Sequence, residues 1–149
     1  YFKNIRREIT KSPIYYFRDL GLQNFAKGGF SFGDKSENGF SFQNLVFNEI
    51  YKETEKNGGD IHFWRTKNGA EVDIIVEAGN KIIPIEVKWS VLKKPIITRS
   101  LQSFIEHYDP KEAYIINREF EKKIKFGNTI IHFITIYSLL NKGVGNGIA

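Results

Sequence analysis

Acidic and basic side chains alternate with apolar ones on the two segments that flank Gly79-Asn80. Glu71 and Asp73 lie before this pair, and Glu86 and Lys88 lie after it. Alternation with a period of two on both sides of a Gly-Asn pair is typical of a β-hairpin. The turn predicts a register in which Asp73 faces Glu86 and Glu71 faces Lys88. One face of the hairpin would then carry three carboxylates and one ammonium.

The pairing of Asp73 with Glu86 has a physical cost, because like charges directly opposite each other destabilise a sheet. A divalent cation bound by both carboxylates would remove the repulsion, and oxygen ligands suit Mg²⁺ or Mn²⁺. The alternative interpretation is a solvated face on which Glu71 pairs with Lys88 and water screens the two acids. The apolar run Ile-Ile-x-Ile at residues 82–85 favours a strand covered on both faces, and with it the metal site.

A third carboxylate, Glu49, lies on the helix predicted for residues 42–57, with Ser41 as its N-cap and Gly58-Gly59 after its end. Glu49 falls within the apolar stripe of this helix, whose members include Val46 and Ile50. A carboxylate that points toward a core needs a partner. Two interpretations are open: Glu49 joins the metal site, or it lies at the margin of the stripe and reaches solvent.

The hairpin resembles a known family. Asp73 is followed, after twelve residues, by Glu86-x-Lys88, a pattern similar to the core of the PD-(D/E)XK, or restriction-endonuclease-like, nuclease superfamily. The longer runs at residues 63–73, Phe-Trp-Arg-Thr-Lys-Asn-Gly-Ala-Glu-Val-Asp, and 83–88, Ile-Pro-Ile-Glu-Val-Lys, are similar to an uncharacterised nuclease-like domain. That domain follows an AAA-type ATPase module in many bacterial and archaeal proteins. The resemblance extends from about Pro13 to about Leu140.

The resemblance implies an α/β protein with a restriction-endonuclease-like α/β/α core and a central mixed sheet. It implies catalysis of phosphodiester hydrolysis by Asp73, Glu86 and Lys88, assisted by Glu49, with Asp73, Glu86 and Glu49 as ligands of Mg²⁺ or Mn²⁺. The partners it implies are nucleic acid, DNA foremost, and the ATPase module of the same polypeptide. An inactive nuclease-like docking module, serving the ATPase by binding nucleic acid or protein, is the alternative. Some nucleases of the superfamily carry Gln-x-x-x-Tyr on the following helix, whereas here Gln102 is followed by Glu106 at that spacing.

Four cations near the hairpin are candidates for contacting nucleic-acid phosphates: Arg65, Lys67, Lys93 and Lys94. Trp64 lies among them, and we predict that it belongs to the core rather than to a base-stacking surface. The net charge of +5 and pI near 9.3 favour an anionic partner.

Composition excludes several other function classes. The chain has no cysteine, which excludes disulfides and thiolate metal sites, and its three histidines lack metal-ligand spacing. No apolar run approaches the roughly 20 residues that cross a bilayer, so we expect no membrane association and a cytoplasmic location. The glycine-rich stretch Lys27–Gly39 lacks a phosphate-binding spacing, so any ATP site lies elsewhere. Because the chain lacks Met and begins at Tyr1, we expect it to be part of a longer polypeptide.

The remaining pattern predicts the elements around the hairpin. Residues 1–40 are expected to form a basic connecting segment and glycine-rich loop, 41–140 the core, and 141–149 a frayed tail. The predicted elements are a strand at 14–17, a turn into a short helix from Asp19, a loop at 27–39, a strand at 61–66, a helix capped by Thr98 and ending at Tyr108, strands at 112–116 and 129–136, and a helix at 137–140. The connection from the Lys88 strand to the Glu112 strand should be parallel and right-handed.

Overall fold

The computed structural model describes residues 14–28 and 35–142. Its elements, in chain order, are α1 (Leu20–Ala26), α2 (Lys35–Asn57), β1 (Asp60–Arg65), β2 (Glu71–Ala78), β3 (Lys81–Lys88), α3 (Arg99–Tyr108), β4 (Glu112–Asn117), β5 (Lys122–Phe126), β6 (Thr129–Thr135) and α4 (Ile136–Lys142). The predictions for residues 1–13, for the glycines between 29 and 34, and for the tail beyond Lys142 lie outside the described residues. Within the described ranges, no helix is both long enough and apolar enough to span a membrane.

The strands form one mixed sheet in the order β1-β2-β3-β4-β6-β5. The pairs β1/β2, β2/β3 and β5/β6 are antiparallel, whereas β3/β4 and β4/β6 are parallel. Helices α2 and α4 pack on one face of the sheet through residues such as Val46, Ile50 and Leu139, and α3 packs on the other through Leu101 and Phe104. The predicted α/β class with a central mixed sheet is therefore confirmed, as is the parallel β3/β4 connection through a helix.

The β2/β3 hairpin adopts the predicted register over five residue pairs, and this ladder ends one pair before the predicted partners Asp73 and Glu86. Ala78 faces Lys81 beside the turn, Ile74 faces Ile85 at the far end of the ladder, and Gly79 in the turn has φ 58°. A positive φ is easily adopted by glycine, which explains its place at this turn. Alternate residues of both strands, including Ile74 and Ile85, are fully buried against α2.

Helix α2 begins at Lys35, so two predictions about its start are wrong. Ser41 lies inside the helix rather than at its N-cap, and the loop predicted to run to Gly39 ends earlier. The expected boundary at residues 40 and 41 consequently falls inside α2. Glycine within a helix costs about 1 kcal/mol relative to alanine, and packing of the flanking aromatic residues Phe40 and Phe42 offsets that cost.

The strand predicted at residues 14–17 is also wrong, since this segment has no regular secondary structure. The amide side chain of Asn44 replaces a strand neighbour: its Oδ1 accepts from the Phe17 N–H at 2.8 Å and its Nδ2 donates to the Phe17 carbonyl at 2.7 Å. Asn48 Nδ2 donates to the same carbonyl at 2.9 Å. These bonds fix the segment across α2. Asp19 then caps α1 as its side chain accepts from the Leu22 N–H.

Candidate functional site

The ladder that joins β2 to β3 is shorter than the two strands, which separate at the start of β2 and the end of β3. Their ladder stops at Ile74 and Ile85, whereas β2 begins at Glu71 and β3 continues to Lys88. We call this region, residues 71–73 of β2 and 86–88 of β3, the strand fork. It contains all four charged residues of the predicted hairpin face.

A β-bulge on the other side of β2 accounts for the separation. His62 of β1 pairs with Ile75 and Trp64 pairs with Val72, so two residues of β2 stand opposite one residue of β1. A bulge bends its strand and increases the local twist. Asp73 lies within this bulge, at the point where the ladder between β2 and β3 stops.

Asp73 occupies the apex of the fork. Its Oδ2 accepts a hydrogen bond of 2.8 Å from the Val87 N–H, a backbone donor that the separation of the strands deprives of its ladder partner. Burial is the main cause that raises the pKa of the Asp73 carboxyl to about 6; the Val87 hydrogen bond and the Lys88 charge oppose it, and the negative charge of Glu86 adds to it. The charged form of Asp73 is therefore held in a dehydrated site that its hydrogen bond and the nearby Lys88 do not fully compensate.

Glu86 is 5% exposed and has a partner on each oxygen. Its Oε1 lies 2.5 Å from Lys88 Nζ, and its Oε2 accepts from the Thr98 hydroxyl at 2.7 Å. Thr98 is the N-cap of α3, as predicted, and its hydroxyl oxygen also accepts from the Leu101 N–H at 3.2 Å. The N-terminus of α3, where the helix dipole is positive, thus holds the buried carboxylate in place.

Glu71 has a different partner from the one predicted. Its Oε2 lies 2.8 Å from Arg65 Nη2, and its N–H donates to Ser100 Oγ at 3.2 Å. The expected pairing of Glu71 with Lys88 is wrong, because the fork separates β2 from β3 and β1 places Arg65 directly opposite Glu71.

Glu49 is not assembled with Asp73 and Glu86 into a three-carboxylate group. Its Oε1 instead lies 2.7 Å from Lys52 Nζ on the next turn of α2, and its side chain is 23% exposed. Within residues 14–28 and 35–142, no cluster of three or more His, Asp or Glu side chains is placed to bind a metal ion. Helix α2 meets the sheet through Val46 and Ile50, so Glu49 lies at the margin of the buried stripe.

Two residues that the sequence did not single out approach the fork from the α2 side. Gln43 Nε2 donates to the Tyr16 hydroxyl at 2.8 Å, and the Tyr16 ring stacks on Phe47 at 3.9 Å. Burial raises the pKa of Tyr16 to about 12, the Gln43 bond lowers it, and the charges of Asp73 and Glu71 raise it. A cavity of about 200 Å³ lies between these elements and is lined by Ile14, Phe40, Gln43, Phe63, Trp64, Arg65, Glu71, Val72 and Asp73.

Little in the sequence could have indicated these two residues. Gln43 lies inside the predicted helix but outside its apolar stripe, so helical periodicity assigns it no role. Tyr16 lies beside Gln43 because the Asn44 hydrogen bonds hold its segment across α2, which no spacing along the chain reveals.

The predicted phosphate-binding cations all lie on the fork end of the sheet. Lys67 is exposed in the β1/β2 turn, and Lys93 and Lys94 are exposed in the loop between β3 and α3. Arg65 is half-buried and engaged with Glu71. Trp64 belongs to the core, as predicted: it is 5% exposed and packs edge-on against Phe104, with ring centroids 5.4 Å apart.

Comparison with known proteins places the fork within a described family. The family called "Domain of unknown function (DUF4143)" matches residues 38–139, a span that contains every residue of the fork. Two relatives, each described only as an uncharacterized protein, come from Mycobacterium bovis and Mycobacterium tuberculosis. Each is 28% identical over 106 residues, which cover 69% of this chain and 23% of the relative. The matched part of the chain thus spans about a quarter of the length of these relatives.

Proposed function

The chain belongs to the DUF4143 family, and from that premise we propose that it is a metal-dependent nuclease domain that hydrolyses phosphodiester bonds at the strand fork. The observation that carries the proposal is the separation of β2 and β3, which sets the buried Asp73 carboxylate beside the Glu86/Lys88 pair. A divergence between two strands creates an opening that regular hydrogen bonding would otherwise close. The resemblance to PD-(D/E)XK nucleases supports the same assignment.

The donor set of the fork fits a hard divalent cation. Mg²⁺ is commonly bound by one or two carboxylates, with water and substrate phosphate completing its coordination. Lys88 balances the charge of Glu86, whereas the raised pKa of Asp73 marks a negative charge that lacks such compensation. Asp73 and Glu86 would hold the ion. When bound, it supplies a Lewis acid that polarises a phosphoryl oxygen and lowers the pKa of a water molecule.

Residues of the chain itself stabilise charge, position the carboxylates and bind the substrate. Lys88 turns from Glu86 toward the phosphate and stabilises the negative charge that develops there. Thr98 and the Val87 N–H keep the two carboxylates in fixed positions, so that little reorganisation is needed when substrate binds. Arg65, Lys67, Lys93 and Lys94 contact the flanking phosphates of nucleic acid, for which we propose DNA.

A second candidate function is a nuclease-like docking module without catalysis. It is favoured by the hydrogen bonds that already engage Asp73, Glu86 and Lys88, because these bonds stabilise the fork without a cation. The relatives are much longer than the matched region, which leaves room for an ATPase module in the same polypeptide. In this alternative the domain serves that module, in the cytoplasm, by binding nucleic acid or protein.

The two candidates are separated by cleavage assays on plasmid DNA and on single-stranded RNA, with Mg²⁺, Mn²⁺ or EDTA. We expect cleavage with either metal and none with EDTA, and we expect Asp73→Asn and Lys88→Gln to abolish it. Both substitutions retain a hydrogen-bonding group at the site, and Glu106→Gln, on the exposed side of α3, is the matched control. If the parent protein binds nucleic acid equally well with metal and with EDTA and does not cleave it, the result would support the docking module instead.

A further inference from the structure

The parallel pair β3/β4 brings two further residues to the fork end of the sheet. Lys88 and Asn117 are partners at the carboxyl ends of these strands, so Trp89 and Arg118, the next residue on each strand, leave the sheet side by side. In open α/β sheets, ligands bind in the crevice outside the carboxyl ends of the strands. Neighbouring strands are about 4.8 Å apart, so Arg118 begins within one strand spacing of the β3 end.

The guanidinium group of Arg118 lies over an aromatic ring. Its guanidinium carbon is 4.5 Å from the centroid of the Trp89 ring, within the range of a cation–π contact. The Trp89 ring in turn packs against Phe42 of α2, with centroids 5.4 Å apart. The Trp89 ring, which follows β3 and packs on Phe42 of α2, thereby fixes the position of the guanidinium group.

The guanidinium nevertheless remains available to a ligand. The Arg118 side chain is 39% exposed, and its ion pair with Glu119 is a surface contact of 3.6 Å. Exposed ion pairs contribute little, so a phosphate can replace Glu119 at small cost. An arginine plane held on a ring has lost part of its rotamer freedom in advance, which favours ligand binding.

From this arrangement we propose that Trp89 and Arg118 form a nucleic-acid-binding subsite, next to the fork, for the nucleotide adjoining the cleaved phosphate. The inference rests on the proposed nuclease function. The guanidinium contacts a backbone phosphate through its N–H groups, and its outer face receives a base, since arginine planes serve as stacking surfaces for unpaired bases. Trp89 acts through Arg118 as a positioning residue.

The test is fluorescence anisotropy with single-stranded DNA and RNA oligonucleotides of one sequence, in EDTA, across a series of salt concentrations. We expect Arg118→Ala to weaken binding by at least about fivefold and to lower the salt slope by about 0.7, as one lost phosphate contact on a single strand requires. Arg118→Lys should recover the slope without recovering the full affinity, because lysine keeps the charge and lacks the plane. The subsite prefers whichever nucleic acid, DNA or RNA, shows the larger loss of affinity in Arg118→Ala.

A matched control is present in the same chain. Arg18 stacks on Tyr51 at 4.2 Å and pairs with Glu55 at 3.9 Å, but Tyr51 lies about 12 Å further along α2 than Gln43. Arg18→Ala should therefore leave affinity and salt slope close to those of the parent. Circular dichroism checks the fold, and Arg118→Gln, which keeps part of the aliphatic stem, replaces Arg118→Ala if the latter unfolds.

The outcomes separate this subsite from the proposed function. The subsite is refuted if Arg118→Ala binds with the parent's affinity and slope, or if Arg18→Ala weakens binding equally, while the parent still cleaves in Mg²⁺. A parent protein that neither binds nor cleaves either oligonucleotide refutes the nuclease proposal, and the subsite with it.

Discussion

Replacing Asp73 by Asn should make the protein more stable at neutral pH, and by an amount that depends on pH. An unperturbed Asp carboxyl has a pKa of 3.8, and burial is the chief reason that the pKa of Asp73 rises to about 6 in the folded protein. Between these two values the folded state keeps a proton that the unfolded state has released. The free energy of unfolding therefore falls as the pH rises through this window.

The pKa values set the size of the effect. The difference of roughly two units corresponds to about 3 kcal/mol of lost stability above pH 6, since one unit is about 1.4 kcal/mol. An Asn side chain has the same shape, keeps an oxygen that can accept from the Val87 N–H, and carries no charge. The stability advantage of Asp73→Asn over the parent should grow by about 1.4 kcal/mol between pH 5 and pH 8, which corresponds to the last unit of the window.

Urea denaturation of both proteins in metal-free buffer, at several pH values from 5 to 8, measures this difference. Glu106→Gln removes an exposed carboxylate from α3 and serves as the control, with a stability difference that should stay nearly constant with pH. A difference for Asp73→Asn that also stays constant would show that folding does not raise the pKa of Asp73, and one that turns against the variant at pH 8 would show that Asp73 stabilises the fork as a charged group. The account of an uncompensated carboxylate would then be wrong.

Three further predictions concern the same region. Mn²⁺ at about a hundred times its dissociation constant should stabilise the parent by about 2.7 kcal/mol in a thermal melt, and should leave Asp73→Asn nearly unchanged; equal stabilisation of both would place the metal elsewhere. Thr98→Val should cost about 1–3 kcal/mol, because it removes both the α3 cap and a hydrogen bond to buried Glu86, whereas Thr98→Ser should restore most of that stability. Asn44→Leu should cost about 1–3 kcal/mol in urea denaturation by releasing the Phe17 backbone; an unchanged midpoint would show that the segment at 14–18 is held by other contacts.

Local patterns were sufficient for the features that depend on neighbours in the sequence. The hairpin register follows from alternation around Gly79-Asn80, and the Thr98 cap follows from a threonine before an apolar helical stripe. These features need no knowledge of how distant elements pack.

The fork itself could not be predicted, because it depends on the pairing of β1 with β2. The bulge between His62 and Trp64 shifts the register of β1 against β2, and only then does Arg65 rather than Lys88 become the partner of Glu71. The prediction of where α2 starts is wrong for a related reason: Gly39 is a poor helix former, and its place in a helix is decided by tertiary packing.

The missed strand β5 illustrates the limit of the alternation signal. Three of its five residues are lysines, and the short apolar face of its sequence, Lys-Lys-Ile-Lys-Phe, consists of Ile124 and Phe126 alone, which pack against the core on the α3 side. The strand forms the edge of the sheet next to β6, where lysines discourage association with other sheets. Its pairing with β6 supplies the stability that its own composition does not indicate.

The central claim is that the strand fork hydrolyses phosphodiester bonds with a divalent cation, and the most direct measurement is cleavage by the parent and by Asp73→Asn under identical conditions with Mg²⁺. The account predicts that the parent cleaves DNA or RNA in Mg²⁺ and not in EDTA. It also predicts that Asp73→Asn is inactive while being at least as stable as the parent in urea. Cleavage by Asp73→Asn at the parent's rate, or no cleavage by a folded parent that binds nucleic acid equally well with and without metal, would contradict it.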